Sequence, residues 1–198
     1  LSTARSSYHH GDLKRALFDA LSDAVLEVGP AALSLRDLAR RAGVSHAAPA
    51  HHFGDKRGLL TAFAAEGHRL LAEALSQASA TSGGDFTEIG LAYIQFALTH
   101  RAHFEVMFRP ELLRHDDPQL LAAARQSSQH LQGGATGEAA AIGTGDAQAI
   151  MIAAWSLVHG FATLWLDGNI PTDLGPPQLL ARRIARALEP PTDPNRHR

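Results

Sequence analysis

The sequence predicts an all-α protein, and three observations predict it. Apolar residues recur three and four positions apart in one long segment after another, the repeat of a helix with one buried face. No segment sustains the apolar–polar alternation of a half-buried strand. The strongest punctuators, Gly-Pro, Gly-Gly and Pro-Pro pairs, fall between the periodic segments.

The elements follow in order. Residues 1–7 are polar and aperiodic and read as a flexible arm. From Asp12 a first helix carries Leu13, Leu17, Leu21, Val25 and Val28 on one face, and Gly29-Pro30 stops it. Ser34 with Asp37 three residues on reads as a capping box opening a short second helix. Leu35, Leu38, Ala39 and Ala42 are its inner face, and Gly43 closes it. Ser45 offers an N-cap for a third helix, from His46 to about His52. With that cap Pro49 is the fourth helical residue, where its missing N–H forfeits a bond and its ring crowds Ser45. The first reading of Pro49 is a stiffened, shortened helix; the second is a rigid apolar contact to a thymine methyl. Asp55 caps a long fourth helix reaching about Ala80, and Thr81-Ser82-Gly83-Gly84 breaks it. A fifth helix follows Asp85 to about His100, and a sixth runs from Ala102 to Phe108. A seventh opens at Asp117-Pro118 and fades near Gly133-Gly134, so that residues 133–145 read as a glycine-rich loop. The most apolar helix spans Asp146 to about Asp167, and a last one runs from Gln178 to Leu188. Residues 191–198 read as a disordered tail.

Composition narrows the function. There is no cysteine, which excludes disulfides, thiolate zinc sites, cysteine nucleophiles and thiol redox sensing. No uninterrupted apolar run approaches the ~20 residues of a membrane helix, and no basic region precedes an apolar stretch as in a signal peptide. The expectation is a cytoplasmic protein without membrane association. The net charge of -2 hides an asymmetry: residues 1–60 sum to +2 and residues 61–198 to -4. That sign fits a head that faces a polyanion.

The strongest signal lies in residues 34–53. Two short helices joined by the tight turn Ala42-Gly43-Val44 make a helix-turn-helix, whose second helix enters the DNA major groove. Short or polar side chains on that helix let its backbone approach base edges: His46, Ala47, Ala48, His51 and His52. Ser45 at the helix start, Arg36 on the preceding helix and Lys56 on the following one are placed for the sugar-phosphate backbone.

The stretch from Tyr8 to Leu60 resembles the TetR family of repressors. The matching residues are Leu35-Arg36-Asp37-Leu38-Ala39-Arg40-Arg41-Ala42-Gly43-Val44-Ser45, His51-His52-Phe53 and Asp55-Lys56-Arg57-Gly58-Leu59-Leu60. The sequence departs from the family at Ala50, where an aromatic residue that contacts phosphate is usual. Ala102-His103-Phe104-Glu105-Val106-Met107-Phe108-Arg109-Pro110 and Trp155-Ser156-Leu157-Val158-His159-Gly160 resemble a subgroup marked by Trp-x-x-x-His-Gly. The resemblance implies a helix-turn-helix DNA-binding domain, here 8–58, and a helical-bundle domain for effector binding and dimerisation, here 59–190. It implies a homodimer on palindromic operator DNA that releases its site when a small-molecule effector binds, the last two helices pairing with their copies. Ile150, Ala154, Leu157, Phe161, Leu164 and Trp165 supply one such face.

For the effector, Phe96, Phe104, Met107, Phe108, Trp155 and His159 are the candidates. An apolar lining with few polar groups suits an apolar or aromatic ligand, although each residue taken singly reads as core. The twelve histidines do not read as a metal site, since zinc wants three or four converging ligands at fixed spacing. No cofactor motif and no catalytic constellation is present. The alternative function is a helical-bundle small-molecule binder or enzyme with a vestigial DNA-binding head.

Overall fold

The computed structural model describes residues 10–142 and 145–188. Among these are nine α-helices, three single 3-10 turns and no strand. The helices are α1 (His10–Val28), α2 (Leu35–Arg41), α3 (Ala48–Phe53), α4 (Lys56–Ser82), α5 (Phe86–Thr99), α6 (Arg101–Met107), α7 (Pro118–Ile142), α8 (Ala147–Leu166) and α9 (Pro177–Leu188). The arm expected over 1–7 and the tail expected over 191–198 lie outside the described residues.

Aspartates start four of these helices. Oδ1 of Asp55 accepts the Gly58 N–H at 2.8 Å, and Oδ1 of Asp85 the Glu88 N–H at 3.1 Å. Asp117 accepts from Gln119 and Leu120, and Asp146 from Ala149. Each satisfies donors that a helix start leaves unpaired, a contribution of about 1 kcal/mol. The capping box at Ser34 does not form. Ser34 holds the N-cap position but makes no side-chain cap bond. Asp37 turns instead to Arg40 at 2.6 Å and Arg41 at 2.7 Å. Two guanidinium groups thus engage both oxygens of the carboxylate that the cap would have used.

The described chain divides into two compact units. The first joins residues 10–72 to His100–Ser127. In it α1 packs on α2 and α6, and α2 on α3. Its core holds Leu17, Leu21 and Val25 of α1, Leu38 of α2, Leu59, Leu60 and Phe63 of α4, and Val106 of α6. Phe18 lies flat to Phe53 at 5.9 Å between centroids and meets the edge of Phe63 at 5.2 Å. α4 and α6 approach closely at Gly67, where a Cβ would stand 2.5 Å from Met107 Sδ. Deeper in the unit His68 is buried against Ser127, Nδ1 to Oγ 3.0 Å.

The second unit combines Glu73–Thr99 with residues from Ser128 onward. Here α5 is the hub, packed on both α8 and α9. Ile94, Phe161, Leu180 and Ala181 form its centre, with Val158, Trp165 and Ile184 packed around them. The loop expected over 133–145 is largely helix: α7 continues through Gly133, Gly134 and Gly137 to Ile142. Buried Leu131, Ala135 and Ala139 carry the helical stripe across the glycines. Gly134 earns its place by contact, for a Cβ there would lie 2.6 Å from Cδ2 of Phe86. The packing of α7 against that ring overrides a propensity cost of about 1 kcal/mol per glycine.

α8 also differs from expectation. Phe161 is buried and Trp165 packs beside it, so both face the chain's own core rather than lying outward with Leu157 and Leu164. The exposed apolar side instead carries Ile152 (47% exposed), Trp155, Leu157 and Leu164 (49%). α8 is apolar around most of its circumference, so its periodicity does not reveal which face turns inward. By length and composition it is also apolar enough to cross a membrane.

Candidate nucleic-acid interface

The head is built around a turn that only glycine takes without strain. Ala42 ends α2, Gly43 adopts φ +66°, and the Val44 N–H returns to the Ala39 carbonyl at 3.0 Å. A left-handed residue there redirects the chain in one step. α3 then starts two residues later than its sequence indicates. Ala47, not Ser45, is the N-cap. The Ser45 carbonyl takes the Ala48 N–H at 3.0 Å in a preceding turn.

This shift changes the role of Pro49. It falls in the first turn of α3, where the backbone N–H has no helical partner to lose. Its ring is almost wholly buried. The helix is short, six residues, as the first reading expects, but it forfeits no bond; the second reading gives way, because the ring is buried in the head and does not stand exposed as a contact to a thymine methyl requires. Phe53 is the second anchor of α3, stacked on Phe18. With Pro49 turned inward, the opposite side of the segment is open. Ser45, His46, Ala47, Ala50, His51 and His52 are exposed, and Ala48 is half-buried.

The flanking cations differ in availability. Arg36 is exposed at the start of α2. Lys56 is half-buried and its Nζ donates to the Ala31 carbonyl at 2.8 Å. That bond ties the start of α4 to the turn Pro30–Ala32 and uses one of three ammonium donors. Arg41 bridges Asp37 and Glu27, the latter at 2.8 Å, and so pins α2 to α1. Hydrogen bonds from Arg40 and Arg41 hold the Asp37 carboxyl below its usual range. Two further arginines were not singled out in the sequence. Arg57 donates to the Glu111 carbonyl at 2.9 Å, and Arg114 pairs with Asp55 at 3.0 Å. Both fasten the start of α4 to the segment after α6, a long-range pairing with no local signature.

The six effector candidates separate into two groups. Phe104, Met107 and Phe108 belong to the first unit, where Phe104 and Phe108 meet edge to face at 5.4 Å. Phe96, Trp155 and His159 belong to the second. Phe96, Phe104 and Met107 are buried, Phe108 and His159 half-buried, and Trp155 is 39% exposed. Trp155 and His159 are joined through Tyr93, which the sequence did not flag. Trp155 Nε1 donates to Tyr93 Oη at 3.2 Å, and Tyr93 Oη lies 2.9 Å from His159 Nδ1. Burial pushes the Tyr93 phenol up and the His159 imidazole down. Both stay neutral, and the phenol and Nδ1 share one hydrogen bond. A separate cleft of about 540 Å³ lies in the second unit and is lined by none of the six. Among the described residues no group of three or more histidines and carboxylates could hold a metal ion.

Comparison with known proteins agrees with this geometry. The family described as "Tetracyclin repressor-like, C-terminal domain" matches residues 86–188, and "Bacterial regulatory proteins, tetR family" matches residues 17–63. A solved structure of a protein with unknown function from Rhodococcus sp. RHA1 is 34% identical, with 92% of this chain and 96% of that chain covered and a TM-score of 0.76. NalD, the secondary repressor of the MexAB-OprM multidrug efflux pump in Pseudomonas aeruginosa, shares the fold at 20% identity, over 89% of this chain and 93% of that one, with a TM-score of 0.56. The HTH-type transcriptional regulator BetI of Klebsiella pneumoniae (strain 342) is 49% identical over 49 residues. That match spans a quarter of each chain.

Proposed function

We propose that this chain, which belongs to the TetR family of bacterial regulatory proteins, is a homodimeric transcription regulator that represses from a near-palindromic operator and releases it when a small molecule binds. Regulators of the family are non-catalytic and typically ligand-responsive repressors. They generally bind palindromic operator DNA as homodimers. The observation that carries the reading is the division of α3, with Pro49 and Phe53 turned inward and small or hydrogen-bonding side chains turned out.

On this reading Ala47 and Ala48 let the backbone approach the groove floor, and His46 and His51 offer ring nitrogens to base edges. Ser45, His52, Arg36 and Lys56 contact phosphates and set the register. The exposed apolar residues Ile152, Leu157 and Leu164 of α8, with Leu179 of α9, support a partner subunit on this face. Two-fold symmetry then sets the recognition helices ~34–36 Å apart or more, in successive major grooves. The test is selection from a randomised duplex pool at two salt concentrations. The expected result is enrichment of a palindrome whose affinity falls steeply with salt, as released counterions require. Failure to enrich any duplex at either salt overturns the reading.

A further inference from the structure

We infer that the cleft between the last turn of α4, α5 and α9 is a binding site for a zwitterionic small molecule of the amino-acid or short-peptide class. The inference rests on the regulator reading only in calling that molecule an effector. The cleft lies wholly within the second unit, and its volume of about 540 Å³ is in the range of small-molecule pockets.

Its chemistry is polar and balanced. Glu88 and Arg182 face each other across it in a two-pronged pair, with Nη1 to Oε1 at 2.5 Å and Nη2 to Oε2 at 3.1 Å. Beside them Gln178 donates from Nε2 to Gln95 Oε1 at 2.5 Å. One charge of each sign, both partly exposed, leaves no net charge. A ligand of a single sign would meet one attractive and one repulsive group. A zwitterion answers both, its carboxylate on the remaining guanidinium N–H groups and its ammonium on the carboxylate. The two carboxamides supply further donors and acceptors for amide or hydroxyl groups.

Ser82 adds an independent sign that something polar belongs here. It lines the cleft, yet its Oγ is buried and has no hydrogen-bond partner. A buried hydroxyl without a partner is costly, and such groups in native proteins call for an explanation. Its neighbour Thr81 donates its own proton to the Gln77 and Ala78 carbonyls, at 2.9 and 3.2 Å, and so presents only acceptor capacity. Ala78, Leu91 and Ala92 complete the lining with short apolar surface suited to methylene groups. This is a different place and a different chemistry from the aromatic candidates the sequence suggested.

The test is thermal denaturation of the full chain with millimolar L-glutamine, L-asparagine or glycyl-L-glutamine, and with indole as the aromatic probe. At least one zwitterion should raise the midpoint by roughly 2 °C or more. The rise should vanish in Ala92→Phe, which fills the cleft and keeps every polar group, and in Arg182→Met, which removes the guanidinium. No rise with any zwitterion, or a rise that persists in both variants, overturns the inference. So does a rise with indole that Ala92→Phe abolishes. The same samples are tested against the selected duplex. Protein that binds the duplex and ignores the zwitterions refutes the cleft and leaves the regulator reading standing; zwitterion binding without duplex binding does the reverse.

Discussion

Replacing His68 with phenylalanine should remove much of the acid sensitivity of the first unit. The ring is 8% exposed, and burial pushes its pKa from an ordinary 6.5 down to about 4. Ser127 spends its hydroxyl proton on the Ala124 carbonyl at 3.0 Å, so His68 donates Nδ1–H to the Ser127 oxygen and stays neutral. The sign follows from linkage. Between pH 6.5 and 4 the unfolded chain binds a proton at this position that the folded chain refuses, so stability falls as pH falls through that window. At about 1.4 kcal/mol per pKa unit the full loss approaches about 3 kcal/mol below pH 4, and about 2 kcal/mol of it is reached by pH 5. His68→Phe keeps a ring against Phe108, 5.8 Å away between centroids. It gives up one hydrogen bond, a cost of about 1 kcal/mol at neutral pH. Urea denaturation followed by circular dichroism at pH 7 and pH 5 reads the difference. Wild-type protein should lose about 2 kcal/mol more than the variant over that interval. Equal losses in the two proteins would refute the assignment of a buried neutral imidazole.

Other outcomes follow from the same geometry. Gly43→Ala, with no neighbouring atom to clash but φ at +66°, should cost about 1 kcal/mol in thermal denaturation. Gly134→Ala should destabilise wild-type protein through the Phe86 ring, and should cost less in a Phe86→Ala background, where only Ile89 Cδ1 at 3.3 Å opposes a helix-propensity gain of up to about 1 kcal/mol. Arg36→Gln should weaken binding to all duplexes alike and lower the salt slope by about 1, while His51→Ala should cost about 1–3 kcal/mol on the selected site and relax preference at one base pair. Paired Ile152→Glu and Leu164→Glu substitutions should shift the sedimenting mass from two chains to one; an unchanged mass would remove α8 from the dimer interface.

What could be read from the sequence follows how far each interaction reaches along the chain. Asp55, Asp85, Asp117 and Asp146 were legible as helix starts because each carboxylate bonds an N–H two or three residues away. The helix-turn-helix was legible for the same reason, its turn being a local requirement of Gly43. Gly134 was misread as a loop because its penalty is local while its compensation, the Phe86 ring, comes from another helix. Pro49 was misplaced because Ser45 is a strong N-cap type, and only the packed head shows that the turn continues to Ala47. Trp155 and His159 stood out by their one-turn spacing, but Tyr93, which joins them, lies 62 residues from Trp155. The cleft was not legible at all. Glu88 and Arg182 are ordinary surface charges until α5 and α9 set them opposite each other.

The inward turn of Pro49 and Phe53 bears on how such a protein changes over generations. Side chains that hold α3 in place and side chains that stand clear of the core are carried by different positions of one short segment. Substitutions at His46, Ala47, Ala50 or His51 remove no buried contact, so the stability threshold that eliminates most core mutations does not act on them. On the proposed reading, target preference can therefore drift one base pair at a time in a head that stays folded at every step. Gene duplicates of such a chain can take over new sites without first acquiring a compensating change elsewhere.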